Sequence, residues 1–254
     1  MSAATTSEFQ GTRVLITGGN SGIGRAAAEA FAARGARVAI VGRDQTTLAA
    51  TKAALGANAL AIRGDVANLA DLDRMAEDVR GAFGGLDVLI ASAGISPILP
   101  VDQVTETFFD QVIGTNLKGV YFTVQKCIPL LADGAAVVLL SSSGAHLGVG
   151  GMSVYAASKA GVRSLARTFS AELLPRRIRV NVVSPGPVKT PILDRLGVPT
   201  EVAPMLTENI RRQVPLQRLG EPHEVVGALL FLASSDSTFI VGAELRIDGG
   251  LTTL

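Results

Sequence analysis

The sequence predicts an α/β protein with one doubly wound parallel sheet of about seven strands and helices on both faces. Short apolar runs rich in β-branched residues alternate with longer Ala-rich segments of helical character, and no repeat or low-complexity stretch interrupts this order. A glycine-rich turn, Gly18 to Gly24, joins the first strand to the first helix. The 254 residues, 48% of them hydrophobic, suit one large domain with a substantial core.

Composition argues against several classes of protein. A net charge of +1 without a basic run argues against nucleic acid as a partner. No apolar run reaches the roughly 18 residues of a membrane span, so no membrane association is expected. The single cysteine, Cys127, excludes an internal disulfide and offers no metal-ligand cluster, so no metal is expected. Residues 1–10 lack signal-peptide features and are interpreted as a loose leader before a catalytic domain at 11–254, with the cytoplasm as the default location.

The first strand, Arg13–Thr17, leads through the glycine turn into a helix from Arg25 to Arg34. Backbone N–H groups at a helix N-terminus bind a pyrophosphate, and glycines let the ligand approach closely. The turn residues expected at the cofactor are Gly18, Asn20, Ser21, Gly22, Ile23 and Gly24. Their spacing departs from the usual dinucleotide fingerprint, so a simple tight turn remains an alternative.

The second strand, Arg37–Val41, ends where a doubly wound fold binds the adenosine ribose. An acidic residue there would bind a 2′-hydroxyl, but Gly42 takes that place, and Arg43 offers a guanidinium suited to a phosphate. NADP(H) is therefore expected rather than NAD(H), because only NADP carries a 2′-phosphate. Asp44 is a rival ribose ligand, but its place before the helix Gln45–Leu55 favours a helix N-cap.

The third and fourth strands, Ala59–Arg63 and Leu86–Ala91, each end in further candidate cofactor contacts. The third leads to Asp65-Val66, where the carboxylate could accept from the adenine amino group or cap the next helix. The fourth leads to Ala93-Gly94, small residues that let the backbone pass close to a flat ligand.

A helix predicted from about Thr107 to Leu131 contains Asn116, which is locally unfavourable because its amide competes with the backbone. Two interpretations are open. Asn116 is a tolerated surface residue, or the helix is locally opened there to hold water near the active site.

The candidate active site follows the fifth strand, Ala135–Leu140. Ser142 lies at its carboxyl end, and Tyr155 and Lys159 are four residues apart in an Ala-rich helix, so they share one face. A phenol titrates near ~10, and a cation within a few ångströms lowers that pKa by roughly 1–3 units. Lys159 could supply this cation and make Tyr155 an acid–base group. A Tyr-x-x-x-Lys pair on its own more often indicates a solvated surface pair.

Taken together, these residues resemble the short-chain dehydrogenase/reductases. The shared motifs, between about Gly11 and Leu251, are Thr17-Gly18-x-x-x-Gly22-Ile23-Gly24, Asp65, Asn116, Ser142, Tyr155-x-x-x-Lys159 and Pro185-Gly186-x-x-x-Thr190. The chain departs from the family at Ser92, which replaces the usual Asn before Ala93-Gly94. Within the family, it looks most like bacterial NADPH-dependent carbonyl reductases and secondary alcohol dehydrogenases.

The resemblance implies a Rossmann-type fold and a role for each catalytic residue. Tyr155 would donate the proton, Ser142 would hold the carbonyl oxygen, and Lys159 would bind the nicotinamide ribose and lower the Tyr155 pKa. The main chain around Asn116 would hold the water that returns the proton.

The carboxyl-terminal third begins with the strand Ile178–Val183 and the turn Pro185-Gly186. The resemblance places Val188 and Thr190 on the nicotinamide carboxamide and the adjoining phosphate. The proline-rich, apolar segment at about 188–215 is predicted to form a mobile lid. A pair of short helices packed on the core is compatible with this prediction. The last predicted elements are the helix Glu221–Ser234 and the strand Glu244–Ile247.

The predicted substrate pocket is roomy and apolar. Together with Ser142 and Tyr155, its lining residues are His146, Leu147, Val149, Ile192, Leu193, Met205 and Leu206. His146 is interpreted as a pocket or loop residue rather than a general base, because no spacing links it to an acid or a metal ligand.

These features predict a reversible NADP(H)-dependent carbonyl reductase or alcohol dehydrogenase acting on a small-molecule substrate, a bulky apolar ketone or aldehyde. A 3-oxoacyl carrier-protein reductase and a sugar dehydrogenase of the same family remain open. A non-catalytic NADP-sensing regulator is the alternative from another class, although it has little use for the complete catalytic set. A homotetramer is expected from the resemblance and from apolar helices around Val120–Leu131 and Ala156–Leu173.

Overall fold

A computed structural model describes residues 8–197 and 201–254. Its described part contains a seven-stranded sheet with the order β3-β2-β1-β4-β5-β6-β7, and all its neighbouring strands pair in parallel. The strands are Arg13–Thr17 (β1), Arg37–Gly42 (β2), Leu60–Arg63 (β3), Leu86–Ala91 (β4), Leu131–Leu140 (β5), Arg179–Pro185 (β6) and Glu244–Ile247 (β7). The predicted fold class is confirmed.

Helices cover both faces of this sheet. They are Gly22–Ala33 (α1), Gln45–Leu55 (α2), Leu69–Phe83 (α3), Glu106–Ile113 (α4), Gly119–Cys127 (α5), Ser153–Leu173 (α6), Ala203–Gln213 (α7) and Pro222–Ala233 (α8). Side chains alternate along each strand between two cores, so that Leu15 and Leu89 pack under α3, α5 and α6, while Ile16 and Ile90 pack under α1 and α8. Because both faces are buried, the strands appear in the sequence as continuous apolar runs.

The strand order reverses between β1 and β4, where Thr17 is in register with Ala91. In open α/β sheets, ligands bind in the crevice beyond the carboxyl ends of the strands at this switch point. The fold therefore brings the turns after β1 to β6 to one edge of the sheet.

The single helix predicted from Thr107 to Leu131 is wrong, because a π-helical turn at Gly114–Lys118 separates α4 from α5. The N–H of Gly119 bonds to the carbonyl of Gly114, one residue farther back than in an α-helix. Leu131 already belongs to β5, which begins before the predicted Ala135 and contains an irregularity opposite Leu86 to Val88. The other strand boundaries differ from the predictions by at most two residues.

Part of the predicted leader is not loose. Phe9 is buried, and its ring packs edge-on against Phe31 with ring centroids 4.9 Å apart. Residues 1–7 lie outside the described part of the chain.

The predicted lid contains a 3-10 helix at Leu193–Arg195 and then α7, none of whose described residues is buried. The expected pair of short helices is present, but since none of their described residues is buried, packing on the core is not borne out. Mobility of the lid stays a prediction, and residues 198–200 lie outside the described part. None of the described helices is long and apolar enough to cross a membrane.

Candidate active site

The turns after β1 and β4 are held against each other. Gly18 has φ +67°, and a Cβ on it would stand 2.9 Å from Ala93 Cα, so only glycine fits this approach. The buried Thr17 hydroxyl oxygen accepts from the N–H groups of Ser92 and Ala93, at 3.2 and 3.3 Å. These bonds hold the turn after β4 in place, although Ser92 replaces the Asn that was expected before Ala93. A Cβ on Gly24 would lie 2.3 Å from the carbonyl oxygen of Gly18, so the turn also requires glycine at position 24.

The start of α1 has the properties of an anion site. Ser21 is the N-cap residue, yet its hydroxyl makes no capping bond, and the first turn contains no acidic side chain. The N–H groups of this turn are therefore left for a ligand. Thr190 lies close by, because a Cβ on Gly22 would be 3.2 Å from the Thr190 Cβ. Gly22, Ile23 and Thr190 thus lie together at the start of α1.

Arg43 follows β2 at the adenosine end of the crevice. Its Nη1 lies 3.5 Å from Asp65 Oδ2, and its side chain is 58% exposed. An ion pair this long and this exposed contributes little, so the guanidinium keeps donors for another anion. The predicted N-cap role of Asp44 is confirmed, since Asp44 Oδ1 accepts from the Thr47 N–H at 2.8 Å.

Asp65 does not cap the helix that follows it, so this alternative is wrong. Asn68 caps α3, accepting from the Ala70 N–H at 2.9 Å, whereas Asp65 Oδ1 accepts from Ala67 N–H at 3.0 Å in the preceding turn. Val66 is buried beneath the π-helical turn, where a Cβ on Gly119 would be 2.8 Å from its Cγ2.

The turn after β6 packs on the end of β7. The Gly186 N–H donates to the Ile247 carbonyl at 2.9 Å, and a Cβ on Gly186 would be 2.6 Å from Asp248 Cα. Pro185 ends β6, and Val188, two residues beyond Gly186, is buried and pairs with Gly220.

The side chains of Ser142 and Tyr155 both lie next to Gly144. Ser142 Oγ accepts from the Gly144 N–H at 3.1 Å, and a Cβ on Gly144 would lie 3.4 Å from both Ser142 Oγ and Tyr155 Cε1. Accepting this bond uses one lone pair of the serine oxygen, and the hydroxyl still has a proton to donate. The hydroxyls of Ser142 and Ser96 act on the buried Tyr155 phenol as hydrogen-bonding groups and lower its pKa.

Lys159 and Asn116 flank Gly94. A Cβ on Gly94 would lie 3.3 Å from Lys159 Nζ and 3.4 Å from Asn116 Oδ1, so a side chain at this position would press on both groups. Lys159 is buried, and its Nζ donates to the Leu140 carbonyl at 2.9 Å.

Asn116 is fully buried, so the surface interpretation is wrong. Its Oδ1 accepts from the Ile95 N–H, its Nδ2 donates to the Ile95 carbonyl, both at 2.9 Å, and Nδ2 also reaches Ser158 Oγ at 3.2 Å. The amide is satisfied by distant partners, which is why it is tolerated inside a helix that opens into a π-turn at this residue.

The expected lowering of the Tyr155 pKa is not found in the chain by itself. Burial raises the pKa of the Tyr155 phenol, and the hydrogen bonds from Ser142 and Ser96 oppose this only partly. Burial also lowers the pKa of Lys159 to about 8. The prediction was wrong for the cofactor-free chain because it weighed the nearby cation and omitted desolvation of both groups.

Ser96 is a site residue that the sequence analysis missed. It is buried and follows Ile95, which Asn116 holds on both sides. The only signal in the sequence is a hydroxyl two residues after the Ala93-Gly94 pair.

His146 has an acidic partner. Its Nε2 lies 2.7 Å from Glu244 Oε1, on a strand 98 residues away, so no local spacing could reveal the pair. The sequence analysis found no spacing that links His146 to an acid, and only the fold brings Glu244 to it.

Three segments surround the catalytic cleft. The Leu99 N–H bonds to the Gly151 carbonyl at 2.9 Å, and the Ile98 N–H bonds to the Leu196 carbonyl at 2.8 Å. The predicted pocket residues lie on two of these segments and on α7. Leu147, Ile192, Leu193 and Leu206 are half-buried, whereas Val149 and Met205 are 45% and 63% exposed.

A separate cavity of about 400 Å³ lies between the start of α8 and the end of β7, away from Ser142. Within residues 8–197 and 201–254, no three His, Cys, Asp or Glu side chains are grouped as metal ligands.

Comparison with known proteins assigns the chain to a family. A family model described as enoyl-(acyl carrier protein) reductase matches residues 18–252. An oxidoreductase from Sarocladium schorii, asL5, is 43% identical over 247 residues, covering 96% of this chain and 97% of that relative. L-Rhamnose 1-dehydrogenase (NAD(P)(+)) from Azotobacter vinelandii is 37% identical over 248 residues, covering 94% and 95%.

Solved structures agree with this assignment. Levodione reductase superimposes with a TM-score of 0.90 at 33% identity, covering 96% of this chain and 98% of that one. The 3-ketoacyl-(acyl-carrier-protein) reductase from Brucella melitensis, complexed with NADH, superimposes with a TM-score of 0.89 at 30% identity, covering 96% and 99%. The chain belongs to the short-chain dehydrogenase/reductase family of oxidoreductases, whose members use nicotinamide cofactors.

Proposed function

We propose that the protein is an NADP(H)-dependent oxidoreductase that interconverts a bulky apolar ketone or aldehyde and the corresponding alcohol. The observation that carries the proposal is the effect of the Ser142 hydroxyl on the buried Tyr155 phenol, which lies one turn before the buried Lys159 on α6. The bound nicotinamide supplies the hydride in reduction and accepts it in oxidation.

The chain's own groups handle the carbonyl oxygen. Ser142 donates its hydroxyl proton to that oxygen in a hydrogen bond and polarises the carbonyl. Tyr155 transfers its proton to the same oxygen, so that the carbon gains a hydride, the oxygen gains a proton and an alcohol results. In oxidation the phenolate takes the proton back.

The proton must return to Tyr155 after each reduction. Lys159, bonded to the Leu140 carbonyl, and the π-turn around Asn116 border this side of the cleft. A Lys159 pKa of about 8 lets this ammonium give up a proton near neutral pH. We propose that Lys159 and a water held by the Asn116 main chain carry the proton, and that Lys159 also binds the nicotinamide ribose.

Arg43 and Gly42 support NADP(H) as the cofactor. An exposed guanidinium with only a weak partner stands where the 2′-phosphate would lie, and no acidic side chain occupies position 42. The relative that accepts NAD(P)(+) and the neighbour bound to NADH show that this preference needs a direct measurement.

Two relatives favour alternative substrates. The ketoacyl carrier-protein reductase neighbour supports an acyl thioester, and the rhamnose dehydrogenase supports a sugar. The apolar lining residues that we propose include no charged side chain. This lining favours a free apolar carbonyl compound over both alternatives. A non-catalytic NADP sensor would have no use for the Ser142 hydroxyl beside the buried Tyr155 phenol.

A panel of carbonyl compounds tests the proposal. Aryl and aliphatic ketones, a 3-oxoacyl thioester and, for oxidation, L-rhamnose would be assayed by nicotinamide absorbance. We expect the highest kcat/KM for aryl ketones, and no turnover by Tyr155→Phe although NADPH still binds. Tyr121→Phe, at a tyrosine 38% exposed, is the control and should keep its activity. Turnover at the normal rate by Tyr155→Phe would contradict the mechanism, and inert substrates throughout would favour the sensor.

We also propose a homotetramer in the cytoplasm. Apolar side chains around the outer edge of β7 are exposed in the single chain, with Phe239 102%, Val241 40% and Leu245 37% accessible, as is Leu254 at 93%. An unpaired edge strand with such neighbours is typical of a subunit interface. Light scattering at micromolar concentration should give about four times the chain mass, and a monomer would contradict this.

A further inference from the structure

One carboxylate on the last strand binds three side chains. Glu244 Oε1 accepts from His146 Nε2 at 2.7 Å and from the Ser184 hydroxyl at 2.6 Å, while Oε2 accepts from Arg163 Nε at 2.6 Å. The Glu244 and His146 side chains are each 18% exposed. Burial alone would raise the pKa of Glu244, but the bonds from Ser184, His146 and Arg163 outweigh it and hold that pKa below its ordinary value.

Each donor belongs to an element that carries a site residue. His146 ends the 3-10 helix Ser143–His146, which starts directly after Ser142. Arg163 lies four residues beyond Lys159 on the same face of α6. Ser184 lies on β6, one residue before the turn at Pro185-Gly186.

Among the described contacts, the segment after Ser142 packs against α6, and several of its residues are exposed. In its 3-10 helix only Ser143 is buried, and Gly148 to Gly150 are exposed. Its far end is held by the backbone bond between Leu99 and Gly151. The bond between His146 and Glu244 is therefore the side-chain contact that ties this segment to the sheet.

We infer that Glu244 is a positioning residue of the active site, which sets the place of the Ser142 hydroxyl by fixing the segment 143–149 against α6 and β6. The inference rests on the proposed function, because it is the reaction at Ser142 that this placement serves. Glu244 acts through His146 and does not itself touch the reacting atoms.

Kinetic analysis of variants is the first part of the test. Glu244→Leu and His146→Leu should lower kcat about 10- to 100-fold, because a small displacement of a catalytic hydroxyl has an effect of that size. NADPH affinity should stay within about twofold, which separates positioning from loss of cofactor binding. Glu244→Gln should recover part of the activity, since its amide can pair with the other tautomer of His146. Glu29→Leu removes an exposed ion pair on α1 and is the matched control, with unchanged kcat.

Hydrogen exchange is the second part, and it needs no substrate. Amide exchange at residues 143–151 should speed up in Glu244→Leu and in His146→Leu, while exchange in α1 stays the same. Unchanged exchange in this segment, or full kcat in both variants, would overturn the inference. If Glu244→Leu does not fold, His146→Leu carries the test alone. If the wild type reduces no carbonyl compound, the proposed function fails, but the exchange result still decides whether Glu244 fixes this segment.

Discussion

Gly42 leaves room for the side chain of Asn20. A Cβ at position 42 would stand 2.3 Å from Asn20 Oδ1, and Asn20 Nδ2 donates to Thr47 Oγ1 at 2.7 Å. The position where an acidic residue would bind a ribose 2′-hydroxyl is thus filled by an amide from the glycine turn. Asn20 spans from the β1 turn to the start of α2, which explains why Gly42 is required.

This contact predicts the outcome of placing an acid at position 42. Gly42→Asp alone should weaken binding of both NADPH and NADH, because the new Cβ displaces Asn20 and the turn with it. Asn20→Gly combined with Gly42→Asp should restore NADH binding but not NADPH binding, since the carboxylate repels a 2′-phosphate. Fluorescence titration with both cofactors measures this. Equal recovery of both cofactors in the double variant would contradict it.

Arg43→Ala should reduce the preference for NADPH. Loss of a charge-assisted hydrogen bond is worth roughly 1.5–3 kcal/mol, or about 10- to 150-fold in kcat/KM for NADPH. The value for NADH should hardly change. Arg74→Ala is the matched control, because Arg74 on α3 is also 58% exposed and pairs with Asp71. A wild-type preference for NADH, or an unaltered preference in Arg43→Ala, would show that Arg43 does not bind the phosphate.

Ser96→Ala should shift the pH dependence of alcohol oxidation upward. The Ser96 hydroxyl lowers the pKa of Tyr155, so its removal leaves burial less opposed and requires a higher pH for the phenolate. We expect the midpoint of kcat/KM against pH to move to higher pH. Ser164→Ala, at an exposed position on α6, should leave the profile unchanged. A downward shift in Ser96→Ala would mean that the hydroxyl stabilises the neutral phenol instead.

Lys159 should make folding stability depend on alkaline pH. Its pKa is about 8 in the folded chain against 10.5 for the free group, so the unfolded chain binds more protons between these values. The free energy of unfolding therefore increases as pH rises through this window, because Lys159 loses its charge in the folded chain. Below this window, the cost of burying the charged Lys159 is fully present. Relative to Lys159→Met, the wild type should gain up to about 3 kcal/mol between about pH 7.5 and pH 10.5 in urea denaturation. The exposed Lys52→Met variant should have the same change in unfolding free energy between the two pH values as the wild type. The same change in Lys159→Met would refute the assignment of this pH dependence to Lys159.

Arg179 should contribute strongly to stability although it is far from the cleft. Its buried guanidinium donates to the carbonyls of Leu232 and Ser234 at 3.1 Å, where α8 ends, and to Ser237 at 2.9 Å. Arg179→Met would leave these acceptors unpaired and should lower the free energy of unfolding by about 2–4 kcal/mol. Arg25→Met, which removes an exposed ion pair, should lower it by less than about 1 kcal/mol. Equal urea midpoints for the two variants would contradict this account.

The sequence by itself determined the order of strands and helices and the place of the cofactor turns. Strands buried on both faces must be apolar throughout, and helix starts need caps such as Asp44, so these features are visible in neighbouring residues. Ser142, Tyr155 and Lys159 could be selected for the same reason, since strand ends and helix spacing bring them to one edge. Only the tertiary structure decided what surrounds them. The partners of Asn116 are 21 and 42 residues away and that of His146 is 98 residues away, and burial reverses the expected direction of the Tyr155 pKa. Desolvation and distant partners depend on which segments the fold brings together, and no local pattern records this.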